Sequence, residues 1–342
     1  MILLVQEVKL LENWDKIDAV QRMQNYIEEH LTEPITLYML AQAAGYSPWH
    51  ASRIFKKFTR KTPLEYIRAL RLSRAVLELW DEDKRIIDVA LDFSFASHEG
   101  FTRAFSDTFG MTPYHYRQKT PPLPLFMPSP IRSYYLLLQK GEIIMTENKK
   151  NNTVFVQVVE RPARKLILRR GIKADNYFDY CKEVGCEVWG ILCSIKEALY
   201  EPIGMWLPDN LRTPETSVYV QGVEVPVNYT GTVPDDFEII ELKSCKYMVF
   251  QGPPFDNEEF MEAIHDLWQI MKDYNAEFYG FAWVDSNGPR FQLEPQGERG
   301  YIEARPVVTV NHNNISKART CFAVRGDTEN HIIGNGEKVK TT

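Results

Sequence analysis

The chain lacks the cysteine density of a disulfide framework. It carries five cysteines in 342 residues, and the spacing of Cys181, Cys186 and Cys193 matches no zinc module. Its seven histidines form no metal-type cluster with them, so neither a metal nor another cofactor is expected, and reduced, buried thiols are the ordinary reading. Also missing is any run approaching the ~20 apolar residues that a membrane span requires. The opening Met1-Ile-Leu-Leu is apolar, but Gln6, Glu7 and Lys9 interrupt it before it reaches the form of a signal peptide. A reducing cytoplasm with no membrane partner is the expectation. A Gly-rich phosphate loop, a nucleophile elbow and a His-Glu-x-x-His zinc motif are absent too, which points away from an enzyme.

At 44% hydrophobic and 25% charged, the chain has room for two domains with real cores. The most informative stretch runs from Leu37 to Phe58. Leu37, Leu40, Ala41 and Ala44 share one face of a short helix that ends at Gly45, a residue that tolerates left-handed backbone angles. Ser47 suits an N-cap and Pro48 the first position of a second helix, whose apolar stripe is Ala51, Ile54, Phe55 and Phe58. The spacing predicts a helix-turn-helix, the corner that lays its second helix in the major groove of duplex DNA. Left outward on that helix are Trp49, His50, Ser52, Arg53, Lys56 and Lys57, groups that read base edges or neutralise phosphate.

The layout recurs from Ile86 to Pro113, with Phe101, Ala104, Phe105 and Phe109 inward and Ser97, His98, Glu99, Thr102 and Arg103 outward. Between the copies, Pro63 to Trp80 reads as one long helix with Leu64, Ile67, Leu70, Ala75, Leu77 and Leu79 apolar, able to hold two reading heads at a fixed separation. The net charge of −6 suits a DNA binder only when divided along the chain. Residues 14–119 carry 15 Lys and Arg against 14 Asp and Glu, and the span from Ser52 to Ala75 holds eight cations with only Glu65 opposing. One basic stripe is enough for phosphate contact, because local potential governs it.

Residues 17–117 resemble the AraC-family DNA-binding domain, including the ending Phe109-Gly-Met-Thr-Pro-Tyr-His-Tyr-Arg117. The resemblance implies that one polypeptide places two recognition helices in adjacent major-groove segments. Carried over by position, it makes Trp49, Ser52 and Arg53 base-facing in the first copy, and His98, Glu99 and Arg103 in the second. The second turn departs from the pattern, reading Phe93-Ser94-Phe95 where Gly is usual, and Gly100 within the second recognition helix is expected to weaken it by roughly 1 kcal/mol.

Pro121, Pro122, Pro124, Pro128 and Pro130 exclude a continuous helix in the next segment and suit an extended connector. The polar run Glu147 to Asn152 marks the expected boundary, giving a DNA-binding domain over 1–118, a connector over 119–152, a second domain over 153–310 and a polar tail over 311–342. In the second domain the period switches to strands: 153–160, 165–169, 204–206, 217–224, 237–242, 246–250, 278–283, 291–294 and 301–308, with helices over 175–199 and 256–274. The fold class is thus multidomain: an all-α N-terminal domain with two helix-turn-helix motifs, then an α+β domain of duplicated strand-strand-helix-strand repeats. A cleft where the repeats meet is the expected small-molecule site.

This half resembles the GyrI-like effector-binding domain through Cys245-Lys-Tyr-Met-Val-Phe250, the long helix after it and a closing strand with Pro306. The resemblance implies a pocket for an amphipathic organic effector, often cationic, with aromatic walls and a carboxylate. Cations are held by aromatic faces and a desolvated acid. Trp189, Trp206, Tyr219, Phe250, Tyr279 and Trp283 are the candidate walls. At the position where the pattern carries a Glu, this chain has Phe291-Gln292-Leu-Glu294, so either Gln292 replaces the acid and favours neutral ligands, or Glu294 supplies it. Glu224 and Glu303 are further candidates. Two other readings stay open for this domain. One is a hydrolase of reactive small molecules, with Glu294 or Glu303 as base beside Tyr219 or Tyr279. The other is a module for a protein partner such as RNA polymerase.

Overall fold

The computed structural model describes residues 2–128, 130–132, 135, 153–256 and 259–310, so the expected boundary at 147–152 and the tail 311–342 lie outside the described residues. The N-terminal part is helical: α1 (Ile2–Glu29), α2 (Leu37–Ala44), α3 (Pro48–Thr59), α4 (Pro63–Glu78), α5 (Ile86–Asp92), α6 (His98–Phe109) and α7 (Pro113–Lys119). The caps sit where the sequence asks for them. Ser47 accepts from the His50 amide at 3.4 Å, and Gly45 ends α2 at φ 72°. Ala51, Ile54, Phe55 and Phe58 of α3 are buried against Val20, Met23 and Leu40, forming the first core.

Helix α4 is started by Thr62 and Glu65, each accepting the other's amide at 3.3 and 2.8 Å. Its first half sends Tyr66, Ile67 and Leu70 into the first core, and its second half sends Leu72, Ala75, Val76 and Leu79 into another core with Phe101 and Phe105. Ile67 and Val76 are separated by roughly 180° around the helix axis, so α4 buries opposite faces at its two ends. Leu64, expected inward, is 63% exposed because it points about 20° from Ala75, along the second face, at the end of the helix where only the first face is buried, while Leu72 and Val76 are buried apolar positions that a single stripe does not reveal.

The second helix-turn-helix reaches its turn without glycine. Ser94 adopts φ 57°, its hydroxyl donates to the Thr32 carbonyl at 2.6 Å, and the Phe95 amide bonds to Ala90 as the Tyr46 amide bonds to Ala41. A left-handed non-glycine residue costs about 1–2 kcal/mol, which this added hydrogen bond offsets. Gly100 lies in the first turn of α6, where its amide is capped by Ser97 at 3.0 Å. The mid-helix penalty expected for it therefore does not apply there.

The C-terminal part is one antiparallel sheet with helices. Its elements are β1 (Phe155–Arg161), β2 (Arg164–Arg170), α8 (Tyr177–Val184), α9 (Glu187–Cys193), β3 (Ile203–Trp206), β4 (Tyr219–Val225), β5 (Glu238–Leu242), β6 (Cys245–Gln251), α10 (Phe260–Asp273), β7 (Phe281–Trp283), β8 (Arg290–Gln292) and β9 (Ile302–Thr309). The strand order is β1-β6-β9-β8-β3-β4-β2-β5, with β7 also on β9. Exchanging β1 with β5, β2 with β6, β3 with β8 and β4 with β9 reverses this order onto itself. The first strand of each half is thus donated to the other half, and β3 and β8 meet at the middle.

Three expected elements are corrected. The helix over 175–199 is two helices, broken where Gly185 takes φ 100°. The strand over 278–283 starts only at Phe281, because 276–279 form a 3-10 turn closed by Gly280 at φ 78°. Pairing of 291–294 runs instead over Arg290–Gln292. Both α9, through Val188 and Leu192, and α10, through Leu267 and Met271, pack on the same sheet face.

The proline-rich connector is packed along its first part. The Leu123 amide donates to Ser194 Oγ at 2.7 Å just beyond α9, and the Phe126 amide donates to Ser73 Oγ of α4 at 2.7 Å. It crosses α9 at Gly190, where an added Cβ would lie 2.0 Å from the Leu125 carbonyl oxygen. Gly190→Ala is expected to force backbone apart and lower stability by about 1–3 kcal/mol in urea unfolding of the full chain. The break at Gly185 also brings two thiols together. The Cys181 thiol donates to Cys186 and holds Cys186 down at about 7, whereas burial pushes Cys193 up to about 12. The thiolate is the reactive form, so iodoacetamide should label Cys186 first among the described cysteines. Its rate should climb as pH rises through about 7, read by peptide mass spectrometry.

Candidate functional site

On α3 the outward residues divide by role. Trp49 is 69% exposed, and the Arg53 guanidinium lies 5.0 Å from the centre of its ring. That stacking limits the rotamers of Arg53 before any ligand arrives. Lys56 and Lys57 are exposed in the last turn and Ser52 is half-buried. His50 is turned back, its ring stacked on Tyr46 at 4.6 Å with Nε2 buried and unbonded.

On α6, Arg103 is exposed, while His98 and Thr102 are half-buried. Thr102 Oγ1 has no hydrogen-bond partner. The Glu99 carboxylate bonds to its own backbone amide and the Ser97 hydroxyl, which holds it below the usual carboxylate range. Its charge is thereby directed to the helix N-terminus. The surroundings of the two helices differ: Arg53, Lys56, Lys57 and Arg60 cluster on or beside α3, whereas α5 and α6 carry Asp88, Asp92, Glu99 and Asp107.

In the sheet domain, cross-strand partners share a face. Trp206 pairs with both Tyr219 and Arg290, Gln292 pairs with Gly204 and Glu303, and Glu303 pairs with Phe250. The structure therefore brings Trp206, Tyr219, Phe250 and Gln292 onto one face at the centre of the sheet, on the side covered by α8 and α10. Gly204 is required there, because a Cβ would fall 1.9 Å from the Tyr219 hydroxyl oxygen. Gln292 donates to that hydroxyl at 3.1 Å, and its Oε1 lies 2.9 Å from the Tyr301 hydroxyl. Trp206 packs edge-on to Tyr219 at 5.2 Å and donates to the Asp175 carbonyl at 2.8 Å.

The acid of this face is Glu303, fully buried. It accepts from Trp268 Nε1 at 2.6 Å, from the Tyr301 hydroxyl at 2.9 Å and from Arg290 Nε. Burial and the neighbouring Glu303 charge push the Tyr301 phenol well above its ordinary value, so it stays a donor. Glu294 does not join them: β8 ends at Gln292, and Glu294 is exposed in a loop whose carbonyl accepts from Arg299 at 2.7 Å. Glu224 is buried but paired with Arg161 at 2.6 Å and Arg164 at 2.7 Å. Trp283 stacks under Arg305 at 4.8 Å and tilts against Phe250, Tyr279 lies on Tyr274 in the open at 65% exposure, and Trp189 is half-buried on α9. A surface depression of about 310 Å³ lined by Tyr274, Phe281 and Trp283 opens beside this second aromatic group.

Arg290 and Tyr301 escaped the sequence reading. Their signal was the period of two: Arg290 precedes Gln292, and Tyr301 precedes Glu303, by the same alternation that defines a strand face.

Among the described residues no helix is long and apolar enough to cross a membrane. A helix-turn-helix domain family matches residues 40–119. The transcriptional regulator Rob of Salmonella typhimurium is 30% identical over 270 residues, covering 78% of this chain and 84% of Rob. The right origin-binding protein of Escherichia coli is 32% identical over 175 residues, 51% of this chain, and the match spans only 56% of that relative's length. The regulatory protein SoxS of Salmonella typhimurium is 36% identical over 100 residues, 29% of this chain and 94% of SoxS. Among solved structures, an AraC-type DNA-binding domain protein from Chromobacterium violaceum is 27% identical, covering 30% of this chain and 90% of its own, with a TM-score of 0.28. With two helix-turn-helix units ahead of a sheet domain, and a likeness to Rob that runs through both, the chain belongs to the AraC-type helix-turn-helix family of which Rob is a member.

Proposed function

We propose that the protein is a sequence-specific DNA-binding transcriptional regulator, and that its C-terminal domain, GyrI-like in kind, senses a small amphipathic effector. The observation that carries the first part is α3: its apolar stripe is spent in the core while Trp49, Arg53, Lys56 and Lys57 stand in solvent beside a basic turn. Duplex DNA is the partner such a surface suits, through guanidinium contacts to base edges and lysine contacts to phosphate. The acidic surroundings of α6 make the first head the stronger anchor and leave Arg103 as the principal cation of the second. We assign DNA reading to residues 1–118, the connector to 119–152 and the sensor to 153–310.

Support for the sensor is the central face of the sheet, where Trp206, Tyr219, Gln292, Arg290 and Glu303 meet between the two halves. Glu303 is fully buried and already accepts from Trp268, Arg290 and Tyr301, so its oxygens are engaged by the protein rather than directed at a water or substrate proton, which favours recognition over general-base hydrolysis.

Arg53→Ala should cost about 1–3 kcal/mol of specific affinity, concentrated at one base pair, whereas Lys57→Ala should weaken all sequences alike and reduce the salt slope by about 1. Fluorescence anisotropy on an operator selected from random duplexes reads both. Parental binding by both variants would remove α3 from the interface. For the sensor, a thermal-shift screen of aromatic amphiphiles should yield a hit, since a ligand at 100 times its dissociation constant stabilises the fold by ~2.7 kcal/mol. Silence across the set would turn the domain toward a protein partner such as RNA polymerase.

A further inference from the structure

The two features that would hold a positively charged ligand on the central face of the sheet are already occupied by a cation of the chain itself. Arg290 Nε donates to Glu303 Oε1, and its guanidinium carbon lies 4.6 Å from the centre of the Trp206 ring. The other oxygen of Glu303, Oε2, accepts from Trp268 at 2.6 Å and Tyr301 at 2.9 Å. A free cation entering here would have to detach Arg290 from both an acid and an aromatic face, and would leave that guanidinium uncompensated.

The same side chain still offers donors to something else. Arg290 is 37% exposed, and its two terminal nitrogens make no hydrogen bond among the described residues. The neighbouring charges are spent on each other: Arg305 donates twice to Asp285, at 2.8 Å each, and lies over Trp283. On this part of the face, then, Arg290 offers both terminal nitrogens, whereas Arg305 already has a carboxylate of its own in Asp285, and planar guanidinium donors match a carboxylate in geometry. Half-exposed Trp206 and Trp268 give an apolar rim beside it.

We infer that Arg290 is the specificity-determining residue of the cleft: it stands in for a cationic ligand, excludes free cations, and selects an aromatic amphiphile bearing a carboxylate. This rests on the sensor reading above. Three probes with one ring and three charges test it on the full chain: 1-naphthoate, 1-naphthamide and 1-naphthylmethylammonium, with affinities by calorimetry. The parent should bind the naphthoate about tenfold or more tighter than the ammonium compound. Arg290→Met should reverse that order by vacating the acid and the Trp206 face. Adding Glu303→Gln to Arg290→Met should abolish the gain for the ammonium probe. Arg290→Lys, which keeps Glu303 paired and guards against loss of fold, should retain the preference for the anion.

Equal or tighter binding of the ammonium probe by the parent, or an unchanged order in Arg290→Met, would overturn the assignment. If the neutral amide binds every variant while charge makes no difference, the cleft stands and only the role of Arg290 falls. If no probe binds the parent or any variant, the cleft reading falls and this inference with it.

Discussion

The arrangement of the whole N-terminal part depends on α4 burying opposite faces at its two ends. Ile67 and Leu70 close the core that seats α3, and Val76 and Leu79 close the core that seats α6. A helix is stiff over this length, so the distance and rotation between the two outward helices are set by one rigid rod. The rod is tied at its middle and just past its C-terminal end as well: Arg71 donates to the carbonyls of Leu31 and Glu33, and Trp80 donates to Tyr116 at 2.8 Å. Neither core can shift without disturbing the other, because both are made partly of the same helix.

A second constraint joins the two parts of the chain. Ser73 of α4 and Ser194 after α9 each accept a connector amide at 2.7 Å, which gives the segment two fixed points, at Leu123 and Phe126. Proline removes amide donors from such a segment, so the amides that remain must find side-chain acceptors when they are covered. Gly190 permits the close approach. The first part of the connector, around Leu123 to Phe126, is thereby packed between α4 and α9, in direct touch with the rod that spaces the two outward helices.

In the sheet domain, exchange of the first strand between halves makes separation of the halves costly, since β1 and β5 would each lose their partner strands. The joint between halves, β3 against β8, is only three residue pairs wide. The polar groups gather at this short seam, where a run of apolar packing is interrupted and Gly204 makes room for the Tyr219 hydroxyl.

Helix-turn-helix elements were legible because their signals are local: apolar periodicity, Ser and Thr caps, and Gly45 and Gly110 at left-handed positions. Strands were found where apolar, β-favouring runs were long enough, as in β2, β6 and β9. The reading went wrong where a tertiary choice overrode the local pattern. Leu64 satisfied a helical stripe yet stayed in solvent, because α4 changes its buried face midway. The helix over 175–199 broke at Gly185, and the pairing that defines β8 stopped at Gln292, leaving Glu294 outside.

The sequence by itself determined most of the elements, the double helix-turn-helix and the switch from helical to strand periodicity, because each follows from interactions among residues a few positions apart. Only the tertiary structure decided which acid lies on the central face and what meets it. Glu303 is joined to Trp268, Arg290 and Tyr301 by hydrogen bonds that connect three different elements and the loop before β9, and the choice among Gln292, Glu294, Glu224 and Glu303 turned on strand ends and cross-strand partners. Register is a property of pairs of strands, and no single strand carries it in its own pattern.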